Sequence, residues 1–365
     1  MSEWQTFCLK DLGKIVGGAT PPTNNPKNYG NKIAWITPKD LSTLQGRYIK
    51  KGSRSISRLG FKSCSRVLLP KHAILFSSRA PIGYVAIAEK RLCTNQGFKS
   101  IIPNKKIYFE FLYYLLKYHK DNISNIGGGT TFKEVSGATL GLFEVKIPPT
   151  YYEQQKIART LSILDQKIEN NHKINELLHT LAYKIYEYYF KYKPKNAKLE
   201  QIIIENPKSN IMVKNAQKTQ DKYPFFTSGD NILSYPKAII DGRNCFLNTG
   251  GNAGIKFYVG KASYSTHTWC ICANEFSDYL YLLLSSIKNH INQSFFQGTS
   301  LKHLQKNLLK KYPIYMPSAH EIKKFNQIII PLLTLISINT RTSKKLEQIR
   351  DFLLPLLLKQ QVKPK

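Results

Sequence analysis

Acidic residues are few in this sequence. Its 365 residues include 23 Asp and Glu against 54 Lys and Arg, which gives a formal net charge of +31. Metal-dependent nucleases need clustered carboxylates to hold their ions. The sequence has no paired-carboxylate pattern and no Pro-Asp dipeptide, so it argues against a nuclease centre in this chain.

Cofactor motifs are missing as well. The Asn/Asp-Pro-Pro-Tyr/Phe motif of methyltransferases does not occur, and neither does a Gly-x-Gly-x-x-Gly fingerprint. Residues 254–262 look superficially like a P-loop, but the glycine spacing is one residue too long. Ala262 also cannot ligate Mg²⁺ as Ser or Thr would. We interpret the apolar centre of that segment as a strand instead.

Paired cysteines and long apolar runs are also lacking. Six cysteines occur without a Cys-x-x-Cys pair, and His267, Cys270 and Cys272 form the only His/Cys cluster. No second pair completes a four-ligand zinc site, so core cysteines are the favoured interpretation. The apolar runs at 328–338 and 352–358 are too short to span a bilayer. With no signal-peptide core at the N-terminus, we expect a soluble, reduced, cytoplasmic protein without membrane contact.

Positive charge is concentrated in two stretches of the chain. Residues 1–150 carry a net charge of +15 and residues 194–319 carry +8, whereas residues 151–193 are nearly balanced at +2. Two basic stretches indicate two contacts with a polyanion such as a nucleic acid. The alternative is a lysine-rich composition with ordinary solvated surfaces.

A helix-capping motif occurs twice, 168 residues apart. Pro149-Thr150-x-x-Glu153 is repeated as Pro317-Ser318-x-x-Glu321. In each copy the hydroxyl can accept a hydrogen bond from the glutamate N–H, and the glutamate can reach back to the cap. The repeat therefore predicts two long helices that begin at equivalent places.

Both predicted helices carry apolar residues at alternating spacings of three and four, which is typical of a coiled-coil seam. The seam residues are Ile157, Leu161, Leu164, Ile168, Asn171, Asn175, Leu178, Ala182 and Ile185, then Phe325, Ile329, Leu332, Ile336, Asn339, Ser343, Leu346 and Leu353. We expect the helices to pair antiparallel within the chain. Asn171 and Asn339 occupy one seam position, where they either fix the register as buried polar residues or face a loose, solvated stretch.

The two helices differ in their tails. The first is predicted from about residue 152 to 192, before Pro194, and contains no interior proline. The second contains Pro331, so we expect a kink or break near Ile330. Ala182 of the first helix corresponds to Arg350 in the second, which predicts a looser C-terminal end.

The repeat continues upstream of the helices. Residues 111–116 match 279–284, residues 76–83 match 247–254, and 129–131 match 298–300. Runs rich in β-formers predict short strands at 67–69, 73–77, 83–88, 245–247, 256–259 and 269–273, and Tyr/Leu-rich stretches predict helices at 109–119 and 277–290. Each half is therefore an α+β domain followed by a long helix.

Several ordered motifs carry a family resemblance. In the first half they are 17–21 (Gly-Gly-Ala-Thr-Pro), 33–41, 77–83 and 94–99 (Thr-Asn-Gln-Gly-Phe-Lys); in the second half they are 223–229, 248–252 (Asn-Thr-Gly-Gly-Asn) and 265–268; between them are 147–158 and 164–169. This ordered set resembles the specificity (S) subunit of type I restriction–modification systems, over nearly the whole chain. The two halves look like different classes of the same domain.

The resemblance implies an architecture and a function. It implies an α+β fold with a pseudo-twofold internal repeat: target-recognition domains at 1–150 and 194–318, separated by coiled-coil helices at 151–193 and 319–365 that pair antiparallel. Such a subunit is non-catalytic and binds double-stranded DNA, two modification (M) subunits and restriction (R) subunits. S-adenosylmethionine, ATP and Mg²⁺ would belong to those partners, with no cofactor in this chain. Each domain would read one half of a bipartite, asymmetric target, and the helices would set the spacer.

Candidate DNA contacts are polar or basic residues on loops, because such residues reach groove edges and phosphates. In the first domain they are Thr37, Lys39, Lys50, Lys51, Arg54, Arg58, Ser78, Arg79, Asn95, Gln96, Lys99 and Thr130; in the second they are Thr227, Ser228, Asn248, Thr249, Asn252, Lys256, His267 and Thr299. Arg79, Asn95 and Gln96 are the predicted base readers, and the 50–58 loop favours phosphate contact. The alternative for each is a turn-stabilising polar residue.

Two other functions compete with this interpretation. A stand-alone nuclease or methyltransferase would need the carboxylates or cofactor motifs that are missing. A structural coiled-coil adaptor would show no sequence preference on DNA, even with its partners present.

Overall fold

A computed structural model of the chain describes residues 3–64, 67–129, 133–216 and 222–363. The chain divides into two compact units. The first comprises residues 1–170 together with 345–365, and the second comprises residues 171–344. Each unit therefore contains one end of each of the two long helices.

The described part of the first unit contains three sheets and both short and long helices. Its strands are β1 (Gln5–Cys8), β2 (Gly13–Gly17), β3 (Tyr29–Ile36), β4 (Tyr48–Ile49), β5 (Arg54–Ile56), β6 (Ile74–Phe76), β7 (Val85–Ala88), β8 (Cys93–Thr94), β9 (Lys99–Pro103) and β10 (Glu144–Ile147). Its helices are α1 (Leu9–Leu12), α2 (Pro38–Ser42), α3 (Arg58–Ser63), α4 (Phe109–Asn125), α5 (Gly137–Gly141) and the first part of α6 (Tyr151–Tyr186). The sheet orders are β1-β10, β2-β9-β6-β7-β4 and β5-β3-β8.

The second unit has a corresponding set of elements. Its strands are β11 (Ala197–Lys198), β12 (Ile204–Glu205), β13 (Tyr223–Phe226), β14 (Leu233–Tyr235), β15 (Arg243–Asn248), β16 (Ile255–Val259), β17 (Ser263–Tyr264), β18 (Thr268–Cys272), β19 (Phe296–Gln297), β20 (His303–Leu304) and β21 (Pro313–Ile314). Its helices are α7 (Ser277–Ser286), α8 (Lys288–Ser294), α9 (Lys306–Lys310) and most of α10 (Ala319–Leu358). The sheet orders are β11-β21, β12-β18-β15-β16, β14-β13-β17 and β19-β20.

The two units share one topology, which confirms the predicted internal repeat. The strand order β9-β6-β7 of the first unit corresponds to β18-β15-β16 of the second. In the smaller sheets, β3 pairs antiparallel with β5 and parallel with β8, and β13 pairs in the same way with β14 and β17. Both units are α+β, as predicted.

The hydroxyl bond of each predicted capping box forms at the helix start. The N–H of Glu153 donates to the Thr150 hydroxyl at 3.2 Å, and the N–H of Glu321 donates to the Ser318 hydroxyl at 3.3 Å. Glu321 Oε2 also accepts from the Ser318 N–H at 2.9 Å. These bonds satisfy donors that the first turn of a helix leaves free.

The core of the first unit contains apolar residues from both long helices. Ile157 and Leu161 of α6 are buried with the aromatic face of α4, and so are Leu354 and Leu357 near the end of α10. Arg350 Nη1 donates to Asp165 Oδ1 at 2.7 Å. The expectation of a loose C-terminal end is therefore wrong, because leucines beyond Arg350 are packed and its charge is paired.

The long helices run antiparallel in the second unit. Asn171 Nδ2 donates to Ser343 Oγ at 3.1 Å, whereas Asn339 Nδ2 donates to Asn175 Oδ1 at 2.9 Å, so numbers rise on one helix as they fall on the other. Asn175 also donates to the Ile336 carbonyl at 3.3 Å. These half-buried amides bond across the seam, which supports the interpretation that polar seam residues fix the register.

Helix α10 passes through Pro331 without a break. Residues 319–358 form one continuous helix, so a break near Ile330 is wrong, whereas the alternative of a kink there stays a prediction. Ile329 and Leu333, on either side of the proline, are buried in the core of the second unit. Arg243 Nη2 also donates to the Ile330 carbonyl at 3.4 Å. Tertiary packing thus outweighs the backbone bond that proline removes.

Three other predicted elements differ from the structure. Helix α6 ends at Tyr186 and continues as a π-helical turn, Glu187–Lys191. The predicted helix at 277–290 is two helices, α7 and α8, separated at Ile287. The predicted strand at 67–69 is no strand; Leu69 forms only an isolated bridge with Leu92.

Candidate nucleic-acid interface

Two predicted contact loops of the first unit meet at one end of its three-stranded sheet. Because β3 and β8 run parallel, the loops that follow them emerge side by side. The Asn95 N–H donates to the Ile36 carbonyl at 2.9 Å, which places Asn95 next to Thr37. The Asn95 side chain accepts from the Gly97 N–H at 3.0 Å, and Thr37 Oγ1 donates to Asp40 at 2.7 Å.

The motif at 17–21 packs against the same loop. The Ala19 N–H donates to the Thr94 carbonyl at 2.9 Å, and the Thr20 hydroxyl donates to the Gln96 side chain. A Cβ on Gly18 would lie 2.0 Å from the Asn95 carbonyl oxygen, so this close approach requires glycine. The structure therefore brings together motifs that lie some 75 residues apart in the chain.

The segment with Ser78 and Arg79 joins this cluster through backbone bonds. The Ser78 N–H donates to the Gly97 carbonyl at 2.8 Å, and the Ser78 carbonyl accepts from the Val135 N–H at 3.0 Å. Ser78 itself is fully buried, and its hydroxyl donates to Glu134 Oε1 at 3.5 Å. This arrangement fits the turn-stabilising alternative better than a base contact.

A carboxylate that sequence reasoning missed lies among the predicted contacts. Glu134 Oε1 accepts from Lys99 Nζ at 3.0 Å, and Glu134 Oε2 accepts from Arg79 Nη1 at 3.3 Å. The hydrogen bond from Lys99 is the main cause of the lowered pKa of Glu134, and the charge of Arg79 adds to it. Arg79 and Lys99 thus share one counter-charge. The fold alone reveals this cluster, because its members come from three separate parts of the chain: two loops and the start of β9.

The basic segment at 50–58 lies on the other side of β3. β5, which begins at Arg54, pairs with β3 on the edge opposite β8. The guanidinium of Arg54 lies 4.0 Å from the centre of the Tyr29 ring. Asp40 accepts a hydrogen bond from the Ser53 N–H at 2.7 Å. Burial raises the pKa of the Asp40 carboxyl, but the hydrogen bonds from Ser53 and Thr37 outweigh this effect, so the pKa is lowered.

The remaining basic candidates of the first unit are on the surface. Lys39 of α2, Lys50, Lys51 and Arg58 of α3 are all exposed. Lys50 lies 3.9 Å from Glu89 in an exposed ion pair, which contributes little to stability. Phosphate contact by the 50–58 segment stays a prediction. Thr130, the last candidate of this unit, lies outside the described residues.

Lys256 is the centre of the candidate site in the second unit. Its Nζ donates to the Thr227 carbonyl at 2.8 Å and to Asn248 Oδ1 at 3.4 Å. Burial lowers the pKa of Lys256. The side chains of Thr227 and Asn248 are themselves buried and bonded, to the Gly229 N–H and the Asn252 carbonyl respectively.

Exposed candidates surround this centre. Asn252 and His267 are exposed, and the His267 carbonyl accepts from the Ser228 hydroxyl and from the Thr249 N–H. Thr299 is exposed on a loop whose Lys302 carbonyl accepts from the Gly251 N–H at 2.9 Å. The structure therefore brings all eight predicted contacts of this unit into one neighbourhood.

The two candidate sites rest on the same backbone frame. The Thr249 N–H donates to the His267 carbonyl, and the Thr249 carbonyl accepts from the Leu304 N–H. In the first unit, the Ser78 N–H donates to the Gly97 carbonyl and the Ser78 carbonyl accepts from the Val135 N–H in the same way. Equivalent backbone positions therefore carry different side chains. Glu134, which precedes Val135, corresponds to His303, which precedes Leu304.

Other chemistries find little support in the described part of the chain. There, no group of three or more His, Cys, Asp or Glu side chains could hold a metal ion. Cys270 is buried on β18, as expected of a core cysteine, whereas Cys272 at the end of the same strand is only half-buried. The P-loop-like segment forms strand β16. No described helix combines the length and hydropathy needed to cross a membrane.

Comparisons with known proteins point to one family. The family model described as type I restriction modification DNA specificity domain matches twice, at residues 1–180 and 195–348. The chain is 33% identical to the type I restriction enzyme MjaIX specificity subunit of Methanocaldococcus jannaschii, over 98% of this chain and 93% of that protein. It is 30% identical to the HindI specificity subunit of Haemophilus influenzae, over 46% of this chain and 37% of that protein.

A solved structure has the same fold. The crystal structure of the type I restriction-modification S subunit from M. genitalium matches with a TM-score of 0.64 and 17% identity, over 98% of this chain and 96% of that one. Fold and site together define a duplicated α+β recognition protein in which a long helix follows each recognition unit. The chain belongs to the type I restriction modification DNA specificity family.

Proposed function

We propose that this chain is the non-catalytic sequence-specificity subunit of a type I restriction–modification complex. Each of its two units reads one half of a bipartite DNA target, and the long helices set the distance between the halves. The observation that carries the proposal is the shared backbone frame with different side chains. The same three backbone positions carry Ser78, Gly97 and Val135 in one unit and Thr249, His267 and Leu304 in the other.

The two half-sites differ in base sequence. In the first unit, Arg79 and Lys99 form a charged cluster with Glu134. In the second unit, Lys256 binds neutral oxygen atoms. Because base discrimination depends on the donors and acceptors that face the groove, different side chains on one frame favour an asymmetric target.

Catalysis belongs to partner subunits in this proposal. Two modification subunits bind S-adenosylmethionine and methylate adenine, and restriction subunits cleave DNA with ATP and Mg²⁺. The purified chain alone should transfer no methyl group from S-adenosylmethionine to DNA, and adding its modification subunits should restore transfer. Methyl transfer by the chain alone would contradict the non-catalytic assignment.

The direct test is a map of methylated adenines in the source cells. The map is made with the gene intact, deleted and restored. We expect one bipartite, asymmetric motif to lose methylation on deletion and to regain it on restoration. A palindromic motif would contradict the different half-sites. If no motif changes, random-duplex selection with the assembled complex decides, because an adaptor without recognition would enrich no sequence.

A further inference from the structure

A carboxylate such as that of Glu134 is unexpected in a surface that binds a polyanion. Its side chain is 33% exposed, and those of Arg79 and Lys99 are 38% and 20% exposed. Ion pairs this close to solvent contribute about 0–1 kcal/mol to stability. A negative charge at a DNA-binding surface also repels phosphates. Folding stability therefore gives little reason for a glutamate at this position.

The backbone fixes Glu134 independently of its ion pairs. Its N–H donates to the Gly128 carbonyl at 2.9 Å, and its carbonyl accepts from the Gly128 N–H at 3.1 Å. The next residue, Val135, bonds to Ser78, which directly precedes Arg79. The carboxylate is thus held at a defined point beside both cations. The lowered pKa of Glu134 keeps it charged at neutral pH.

We propose that Glu134 is a positioning residue for DNA reading by the first unit. It holds the side chains of Arg79 and Lys99 in one arrangement before DNA binds, and it weakens their attraction to phosphates of any sequence. This inference rests on the proposed function.

Competition for Arg79 explains how such a residue increases discrimination. Arginine reads a base best when its planar fork meets two acceptors, as guanine presents in the major groove. The free-energy cost of releasing Arg79 from Glu134 is offset by hydrogen bonds to such a base edge. A base edge that presents a donor or a methyl group offsets this cost poorly. Specificity is a difference of affinities, and an element that penalises wrong partners increases it.

The second unit provides an internal control. The position that corresponds to Glu134 is His303, and the half-buried Lys256 is bound by the Thr227 carbonyl and Asn248 Oδ1 rather than by a carboxylate. Removal of the Glu134 charge should therefore alter reading of one half-site and leave the other unchanged.

The experiment measures binding of the full chain, assembled with its modification subunits, to duplexes with single-base substitutions in either half-site. Salt dependence is measured on the same duplexes. The variants are Glu134→Gln, which keeps size but removes charge, and Glu134→Asp, which keeps charge but retracts it. The matched control is Glu144→Gln, an equal charge change at an exposed position of β10. Thermal unfolding checks that each variant folds.

We expect Glu134→Gln to bind random DNA more tightly and to steepen the salt slope by about 1, as one additional phosphate contact would. Discrimination at one or two base pairs of a single half-site should fall by about tenfold, within the range for loss of one bidentate contact. Glu134→Asp should recover the salt slope but only part of the discrimination. Glu144→Gln should match the unaltered chain.

Two results would overturn the inference while leaving the proposed function intact. In one, Glu134→Gln discriminates as well as Glu144→Gln. In the other, discrimination falls equally in both half-sites with an unchanged salt slope, which would indicate general destabilisation. If the unaltered chain shows no discrimination in either half-site, the proposed function fails, and this inference fails with it.

Discussion

Arg350 Nη1 donates to Asp165 Oδ1 at 2.7 Å, and the two side chains are only 13% and 5% exposed. This buried ion pair joins the two long helices within the first unit. Asp165 also accepts from the Tyr114 hydroxyl at 2.6 Å. A carboxylate so placed depends on its partners, because a buried charge without them is costly.

Removal of the arginine should therefore destabilise the first unit. We expect Arg350→Ala to lower the free energy of unfolding by about 3 kcal/mol, the lower end of the range for breaking a buried pair, because Tyr114 still donates to Asp165. The matched control is Arg341→Ala, an exposed arginine on the same helix, with an expected loss under about 1 kcal/mol. Denaturant unfolding measures both, and equal losses would contradict the prediction.

The polar residues Asn175 and Asn339 at the helix seam should fix the register of the two helices at some cost in stability. Asn175 bonds to Asn339 and to the Ile336 carbonyl. Asn175→Leu alone leaves the Asn339 amide without this partner and should cost about 1–3 kcal/mol. The double variant Asn175→Leu, Asn339→Leu should recover most of that loss, since two leucines pack at a seam. A double variant less stable than the single one would count against the seam interpretation.

Lys256 should affect only the half-site read by the second unit. Lys256→Met keeps most of the side-chain volume but removes the donor to Thr227 and Asn248. We expect discrimination in that half-site to fall by at least about fivefold, with the other half-site unchanged. Competition binding with single-base substitutions measures this, and the exposed Lys261→Met is the control. Equal weakening on all sequences would instead indicate a phosphate contact.

The cap of α10 should confer a dependence on acid pH. Bonds from Lys193, the Ser318 N–H and Tyr315 lower the pKa of Glu321 to about 2. A carboxyl whose folded-state pKa is depressed stabilises fully above its unfolded pKa, about 4.3, and this contribution is lost as pH falls through the folded value. Glu321→Gln should therefore flatten the unfolding free energy between about pH 4.3 and 2. An unchanged pH profile would contradict the assignment.

The repeat and the long helices could be predicted from the sequence because both are local patterns. The capping boxes at Thr150 and Ser318 and the seam spacing need no tertiary information. Two acidic residues that form ion pairs, Glu110 and Asp278, also lie 168 residues apart and so follow the repeat. The arginines that bind these acids do not, since Arg47 precedes β4 whereas Arg243 begins β15.

The candidate sites were only partly accessible from sequence. The loop motifs around Asn95 and around Asn248 come together in the fold of their units, but contact of these residues with DNA stays a prediction. The Glu134 cluster was missed because its ion pairs span 55 and 35 residues, and they depend on backbone bonds of Ser78 with Gly97 and Val135 that no turn motif signals. The predicted break at Pro331 was wrong for the opposite reason. Proline removes a local backbone hydrogen bond, but packing of Ile329 and Leu333 in the core keeps the helix continuous.

The composition of the first unit also has a consequence for biosynthesis. Its core includes Leu354 and Leu357 from the end of α10. The ion-pair partner of Asp165 is Arg350, which lies 185 residues further along the chain. The first unit is therefore completed only after the second unit has been synthesised. Until the end of α10 emerges, the apolar cluster that contains Ile157 and Leu161 lacks its leucines from α10, and the nascent chain is exposed there to aggregation and to chaperones.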